Sequence, residues 1–552
     1  MLPEKPIKVW LSGRESAGNP TWEHLRLQGN VNFWQKPAWK SARNSQEWKL
    51  MALYPEDLER QSDDWKMLIP DSRTIWLFFG SERDLAQYPE LKEVGSLVMA
   101  YQSGYYSERA AVEIVFGGIG ASGLLPKAIG NIFERGAGIP TIPQNRLHHT
   151  FPEALGMNGA KLTQQVDSMV EDAVNLGAFP GAQVFAAWRG KVVHHKAYGY
   201  HTFSKKQEVK LTDLYDLASL TKILGPTPAL MQLVANGKLN LEAKLEQYLP
   251  EYAKSGIGEA KLRDILAHQA GLKPWIPFYA ETLDKHGHYR NRTFQSDSSK
   301  KYPIQVTHDL YLHRRFEKKI YKAIKKAPIE DAGTYRYSGL AFFLFPKLIE
   351  RITGQDYREY LRSSLYDPIG AHRLGYRPLD RFSISEIVPT EWDTIFRDRV
   401  VHGYVHDESA AMFGGVSGNA GLFGNAMDVG KVMQVYMQHG QYAGKEWLLP
   451  QGMKEFSDRA FPNTPNRRGL AFDKPRLTDQ LEGYVAVNAS ESSFGHSGFT
   501  GTFAWADPET GWVVVILTNR VHPTRANHKI YELDFRRDLH QMFYDATPGQ
   551  EG

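Results

Sequence analysis

Short apolar runs bounded by polar residues or glycine open the chain. Ile7–Leu11, Thr74–Phe79 and Ser96–Tyr101 have the length and enrichment of strands buried in a parallel sheet. Between and after them lie helical patterns, among them Ser107–Phe116, where Ala110, Ala111, Ile114 and Val115 form one apolar face. These elements predict an α/β domain over residues 1–140. Pro140, Pro143 and Pro152, with polar residues between them, mark a linker at 141–158. The pattern then changes. A helical repeat over Leu162–Leu176 leads into Ala182–Trp188 and Val192–Tyr198, two runs turned by Arg189-Gly190, which predicts a β-hairpin. A second hairpin is predicted from Gly501–Ala506 and Trp512–Leu517, around Asp507–Gly511. Strands at both ends with helices between predict an α+β domain over 159–546. Its antiparallel sheet is closed by its own termini and accompanied by a helical subdomain.

Within that domain, Lys285–Lys326 is dense in Lys and Arg. Leu312, Phe316, Ile320 and Ile324 recur every four residues and predict an amphipathic helix with a basic face. Such a face is either solvated or a lid that attracts an anionic substrate.

Composition narrows the function classes. At 552 residues two domains are the default. The chain is 42% hydrophobic and 23% charged, as in globular proteins. A net charge of +4 from 66 basic and 62 acidic residues gives no reason to expect a nucleic-acid partner. No run approaches the ~18 apolar residues of a membrane span. Met1-Leu2-Pro3-Glu4-Lys5 lacks the apolar core of a signal peptide. Cysteine is absent, which removes disulfides, thiolate metal sites and cysteine nucleophiles. The compartment stays open on these grounds.

The candidate chemistry lies in four short motifs. Ser219-Leu220-Thr221-Lys222 follows an apolar run and opens an apolar helix. A serine and a lysine three apart on a helix share a face and can touch. Unpaired N–H groups at the helix start favour developing negative charge. A desolvated lysine loses proton affinity, and a neutral amine can take the serine proton. A second S-x-x-K at Ser298–Lys301 lies in a polar stretch without a flanking apolar helix and is read as chance. Tyr337-Ser338-Gly339 precedes the apolar helix expected at Leu340–Ile352. His496-Ser497-Gly498 precedes the last hairpin, and Gly414–Gly421 is rich in glycine. Each has a bland counterpart: a core tyrosine, a histidine capping a hairpin.

Two other patterns are set aside. Gly118-Ile119-Gly120-Ala121-Ser122-Gly123 satisfies G-x-G-x-x-G, but a helix precedes it and Leu124-Leu125-Pro126 follows, so it is read as a turn. His402, His406, Asp407 and Glu408 have metal-ligand chemistry but no helical spacing, so hydrogen bonding or substrate lining is the preferred reading and no metal is expected.

Taken together, the order S-x-x-K, Y-S-G, H-S-G resembles the serine β-lactamase and penicillin-binding-protein superfamily, in its class C-like branch. The resemblance implies a transpeptidase-like fold and hydrolysis through an acyl-enzyme, with no cofactor. It implies Ser219 as nucleophile, Lys222 as its base, Tyr337 as acid and base for leaving group and water, and His496 on the innermost strand. It implies an oxyanion hole from the N–H groups of Ser219 and Phe499, with Ser338, Gly339, Ser497 and Gly498 lining the substrate. Gly339 departs from the family, which carries an amide or carboxylate there to orient the lysine, so either Lys222 is less firmly held or a water or backbone group fills that place. His496 replaces the usual lysine, which points away from a true β-lactamase and toward peptidase, amidase or esterase chemistry. If His496 must be neutral, activity should rise near pH ~6–7.

The first domain has its own resemblance. Ala100-Tyr101, Ala110–Gly117, Ala121–Pro126 and Phe133–Ile139 look like the C-terminal α/β sandwich domain of family 3 glycoside hydrolases, whose catalytic barrel motif is not in this sequence. The expectation is a domain without glycosidase activity of its own, from a longer fusion with an upstream glycosidase domain. Trp22, Trp34, Trp39, Trp48 and Trp65 are read as core or interface aromatics ahead of a sugar platform. The neighbour suggests peptidoglycan fragments, hence a muropeptide amidase or D-amino-acid-type peptidase of the periplasm or cell envelope. A promiscuous carboxylesterase or weak β-lactamase, and a non-catalytic wall-binding module, stand as alternatives.

Overall fold

The computed structural model describes residues 6–12, 20–34, 42–43, 45–476 and 482–549. Trp39 lies outside them. The chain divides into two compact units: Met1–His148 with Asp367–His372 and Tyr442–Gly444, and the remainder, His149–Tyr366, Arg373–Gln441 and Lys445–Gly552. Among the described residues, no helix is long and apolar enough to cross a membrane.

The first unit is built on a five-stranded sheet in the spatial order Val31–Trp34, Ile7–Leu11, Lys49–Leu53, Thr74–Phe78, Leu97–Met99. Every pair in it is parallel. Alternate residues point to opposite faces. Val9, Leu50, Ala52 and Leu77 pack with Trp22, Ala111 and Val112 on one face. Trp10, Met51, Leu53, Trp76 and Phe78 pack with Trp65 and Leu68 on the other. Burial on both faces is why these strands read as unbroken apolar runs. Leu97–Met99 is less covered, being only half-buried. Two strands escape the sequence pattern. Val31–Trp34 is short and partly exposed, and Lys49–Leu53 opens with a lysine. The Lys49 ammonium is buried but paired with Asp71 at 2.9 Å, which allows a charge at a strand start. Trp22 and Trp65 are core residues, whereas Trp48 is exposed. The helix Tyr105–Val115 ends before Gly118, so a helix and not a strand leads into the glycine run.

The second unit holds an antiparallel sheet whose consecutive strands are Phe494–Ser497, Phe503–Asp507, Trp512–Thr518, Gly181–Trp188 and Lys191–Gly199. Trp512 lies opposite Trp188, so the first and last hairpins of the unit meet at the centre of the sheet. Arg189 and Gly190 have φ of 51° and 79°, the left-handed pair a two-residue hairpin turn requires. On one face, Leu162, Val166 and Val170 of Gly159–Asn175 join Leu539 and Phe543 of Phe535–Asp545 against Val184, Val514 and Ile516. On the other runs the fully buried helix Ala426–Met437. Gly430 lets it approach the strands, since a Cβ there would come within 2.6 Å of the Phe185 ring. This helix supports the one carrying Lys222: Tyr436 donates to the Ile223 carbonyl at 2.6 Å.

Two expected helices need correction. Arg315–Lys326 buries Phe316, Ile320 and Ile324, but Leu312 belongs to a short strand, Leu310–Leu312. The stretch after Gly339 is a 3-10 turn, Leu340–Leu344, followed by an α-helix, Phe345–Thr353. Pro346 has no N–H to give and so marks the first turn of the new helix.

Candidate active site

Ser219 is delivered by a strained connection. The strand Tyr215–Asp216 pairs with Leu422–Gly424, and Leu217 N–H donates to the Leu422 carbonyl at 3.0 Å. The buried Asp216 carboxylate then accepts Ala218 N–H at 2.8 Å and His406 N–H at 2.6 Å. This clamp fixes Ala218 at φ 45°, a left-handed conformation costly for a residue with a Cβ. The reversal turns Ser219 to the head of the buried helix Leu220–Leu224.

Lys222, one turn on, is 2% exposed. Its Nζ donates to Ser219 Oγ at 3.0 Å and to the Asn419 carbonyl at 3.0 Å. The second bond answers the departure at Gly339. A Cβ at that glycine would have Asn419 Cβ as its nearest neighbour, at 3.8 Å, and the backbone of the glycine-rich run holds the lysine instead. Tyr337 OH lies 3.2 Å from Ser219 Oγ. Burial by itself raises this phenol. The Lys222 charge, hydrogen bonds with Ser219 and Lys222, and the Arg468 charge outweigh it, and the group lies below the ordinary tyrosine range.

His496 is buried on Phe494–Ser497, its ring centre 5.9 Å from that of Tyr337. Its Nδ1 is 2.7 Å from the Ser497 carbonyl, which makes it the donor and leaves Nε2 bearing the lone pair. Burial first, then the charges of Arg468 and Lys222, push its pKa down to about 3, although Asp473 and the Ser497 bond oppose them. The imidazole is therefore neutral throughout the working range. This corrects the expected rise in activity near pH ~6–7, which would need a solvated histidine.

Gly498 packs against the connection that delivers Ser219. A Cβ there would meet Thr502 Oγ1 at 2.1 Å and the Leu217 carbonyl at 2.9 Å. Thr500 and Thr502 hydroxyls tie the same turn to the carbonyls of Asp216 and Leu217 at 2.8 and 3.1 Å. Phe499, 48% exposed, follows at the rim. Neither its N–H nor that of Ser219 takes part in a hydrogen bond among the described residues. Ser497 is partly buried beside it. Ser338 is different. Its hydroxyl donates to the Lys273 carbonyl at 2.6 Å and accepts from Leu340 N–H at 3.2 Å. It is thus turned into the protein, fixing the Tyr337 loop, and the expectation that it lines the substrate is corrected.

Sequence reading missed His268, Arg468 and Asp473. The His268 ring centre is 4.6 Å from that of Tyr337, and its Nδ1 accepts Ser338 N–H at 3.2 Å. Arg468 is buried with its guanidinium carbon 5.7 Å from the phenol centre. Asp473 receives Arg467 through two bonds of 2.9 Å and lies 3.5 Å from Arg468. The only available signal was a double arginine beside an apolar stretch ending in aspartate, too common to single out. His402 and His406 are occupied by the Ile387 carbonyl at 2.6 Å and the Glu391 carboxylate at 2.5 Å. Among the described residues, no group of three or more His, Cys, Asp or Glu side chains is placed to hold a metal ion.

A partly buried serine whose hydroxyl lies in hydrogen-bond reach of both a buried lysine and a phenol, on a mixed fold of antiparallel sheet and helices, defines a class of proteins. Residues 166–537 match the family described as Beta-lactamase, and the chain belongs to that family. It is a serine hydrolase of amide or ester bonds. It is 30% identical over 397 residues to the N-acetylmuramyl-L-alanine amidase of Bacillus subtilis (strain 168), spanning 66% of this chain and 82% of that protein. An Escherichia coli (strain K12) protein named provisionally as a D-alanyl-D-alanine carboxypeptidase is 28% identical over 403 residues, 68% of this chain and 86% of that one. A solved class C beta-lactamase shares the fold, with a TM-score of 0.52 and 17% identity over 73% of this chain and all 100% of that one.

Proposed function

We propose that this protein hydrolyses amide bonds in peptidoglycan-derived muropeptides through an acyl-enzyme on Ser219. The observation that carries this reading is the meeting of an amine and a phenol on one hydroxyl: Lys222 Nζ at 3.0 Å and Tyr337 OH at 3.2 Å from Ser219 Oγ. As Oγ bonds to the substrate carbonyl carbon, its proton passes to the Tyr337 oxygen, with Lys222 stabilising the phenolate. The N–H groups of Ser219 and Phe499 receive the oxyanion. The proton then goes to the leaving nitrogen as the C–N bond breaks, and a water activated by Tyr337 releases the acid and restores Ser219. The neutral His496, with Ser497 and Gly498, lines the substrate strand, and Gly339 leaves room beside Lys222. The substrate class draws support from the names of the amidase and carboxypeptidase relatives, and it fits a cell-envelope setting.

A carboxylesterase activity is the second reading, favoured by an uncharged His496 where a cation would bind a β-lactam carboxylate. For the first unit, taken as residues 1–140 with a linker at 141–158 and the hydrolase from 159 to 546, we infer a relationship to the C-terminal sandwich domain of family 3 glycoside hydrolases. Its two-faced parallel sheet supports this. An upstream glycosidase domain would be its partner.

Intact-mass analysis after a fluorophosphonate probe tests the nucleophile. One adduct is expected on the wild type and none on Ser219→Ala. Folded wild type without an adduct overturns the reading. Product masses from a mixed muropeptide digest then identify the bond cut.

A further inference from the structure

Behind Tyr337 lies a second buried cation that the proposed mechanism does not use. Arg468 sits in a segment bolted to both elements that flank the phenol. Asn466 Nδ2 donates to the Ala267 carbonyl at 3.0 Å and to Gln269 Oε1 at 2.9 Å, and Ala471 N–H donates to the Leu266 carbonyl at 2.8 Å. These bonds fix the segment to the turn that carries His268. Asp473 exchanges two backbone bonds with Gly495, at 2.8 and 3.1 Å, which fixes its other end beside His496. The guanidinium is held by the Ala471 carbonyl at 2.7 Å. Its Nε, like His268 Nε2 and His496 Nε2, is buried without a protein partner among the described residues.

The charges around the phenol are few. Lys222 lies 5.3 Å from the centre of the Tyr337 ring and Arg468 5.7 Å. His268 and His496, on the remaining sides, are both driven to the neutral form, chiefly by burial and secondly by Arg468. The carboxylate next to Arg468, Asp473, is shared with Arg467 and with the Tyr484 hydroxyl. On the Lys222 side stands Asp407, whose own burial raises its pKa. The phenol thus faces more positive than negative charge, and Lys222 and Arg468 are both buried, where charges act strongly.

We propose that Arg468 is a positioning residue for the reaction: its fixed guanidinium behind the ring stabilises the phenolate form of Tyr337 that accepts the Ser219 proton. A lysine alone would have to serve as both hydrogen-bond partner and counter-charge. With Arg468 behind the ring, Lys222 is free to bind Oγ and the Asn419 carbonyl. In the acylation step the Ser219 O–H bond breaks, its proton moves to the phenolate oxygen, and its electron pair forms the Oγ–carbonyl bond. The same proton goes on to the leaving group, so Tyr337 ends as it began. The neutral His268 and His496 rings add no competing charge.

This rests on Ser219 being the nucleophile, and the test separates the two claims. The rate of fluorophosphonate labelling is followed against pH for wild type, Arg468→Lys and Arg468→Gln. Arg468→Gln does not strand the carboxylate, because Asp473 keeps Arg467. The acidic limb of the Arg468→Gln profile should move up by about one pH unit, lowering labelling at neutral pH about tenfold. Its alkaline plateau should match wild type, and Arg468→Lys, which keeps the charge but not the fixed fork, should have a midpoint between those of wild type and Arg468→Gln. An Arg468→Gln profile that keeps the wild-type midpoint, even if slower at every pH, overturns the assignment of Arg468. Absence of any adduct on wild type overturns the nucleophile instead. If Arg468→Gln does not fold, ultraviolet titration of wild type minus Tyr337→Phe decides. One tyrosine ionising below the ordinary value of about 10 is expected. A difference spectrum with no such transition rejects the proposal.

Discussion

Two buried carboxylates flank the site and are handled in opposite ways. Asp216, behind Ser219, is satisfied by backbone N–H groups of Ala218 and His406. Asp473, beyond His496, is satisfied by Arg467, Arg468 and the Tyr484 hydroxyl. Burial raises both. For Asp216 it wins, despite His406 and the two backbone bonds, and the pKa is raised. For Asp473 the two arginines and their hydrogen bonds overcome it, and the group is held far below the carboxylate range. The difference follows from what each region must do. The Asp216 clamp sets a backbone shape, which dipoles can do. The Asp473 region sets the charge around Tyr337 and His496, which needs ions.

The largest effect on activity is expected where the two regions touch. Gly498→Ala places a methyl within 2.9 Å of the Leu217 carbonyl, where backbone must move. Both Ser219 and Phe499 would be displaced, and probe labelling should slow by about a hundredfold or more. Labelling within threefold of wild type would show that the contact does not set the site. Next comes Asp473→Asn. It leaves buried cations without their carboxylate and should cost about 3–5 kcal/mol in urea unfolding. A cost below about 1 kcal/mol would deny the ionic character of this region.

Asp216→Asn should cost less, about 1–3 kcal/mol, because the amide keeps one acceptor for two N–H groups. The sign of the pH dependence sharpens the contrast. Asp473 is depressed, so its stabilisation over Asp473→Asn is complete above the unfolded value of about 3.9 and is lost as pH falls below it. Asp216 is raised, so its ionisation costs stability. The wild-type advantage over Asp216→Asn should shrink as pH rises from about 3.9 through the raised folded value. Parallel slopes for the two variants would break the comparison. The smallest effect is expected of Ala218→Gly, which relieves a φ of 45°. It should change stability by less than about 1 kcal/mol, in the stabilising direction, because glycine accepts this conformation but gains unfolded-state entropy.

Local chemistry settled a good deal before any fold was known. Parallel strands buried on two faces had to be unbroken apolar runs, so Ile7–Leu11 and Thr74–Phe78 were legible. Arg189-Gly190 between two runs could hardly be other than a hairpin turn. Ser219 and Lys222 are neighbours on any helix, whatever surrounds it. Lys49–Leu53 was not legible, because the Asp71 that neutralises its lysine stands beyond any local window.

Only the tertiary structure decided the rest, and for one reason: a site's electrostatics depend on distance in space, not along the chain. Folding brought Asn419 to Lys222 in the place left by Gly339. It turned Ser338 inward and made His496 a neutral ring by surrounding it with burial and two cations. It carried Arg468, one arginine among the chain's 66 basic residues, to the face of a phenol more than a hundred positions away. Residue types determined which groups could react, and the fold determined which of them are charged when they meet.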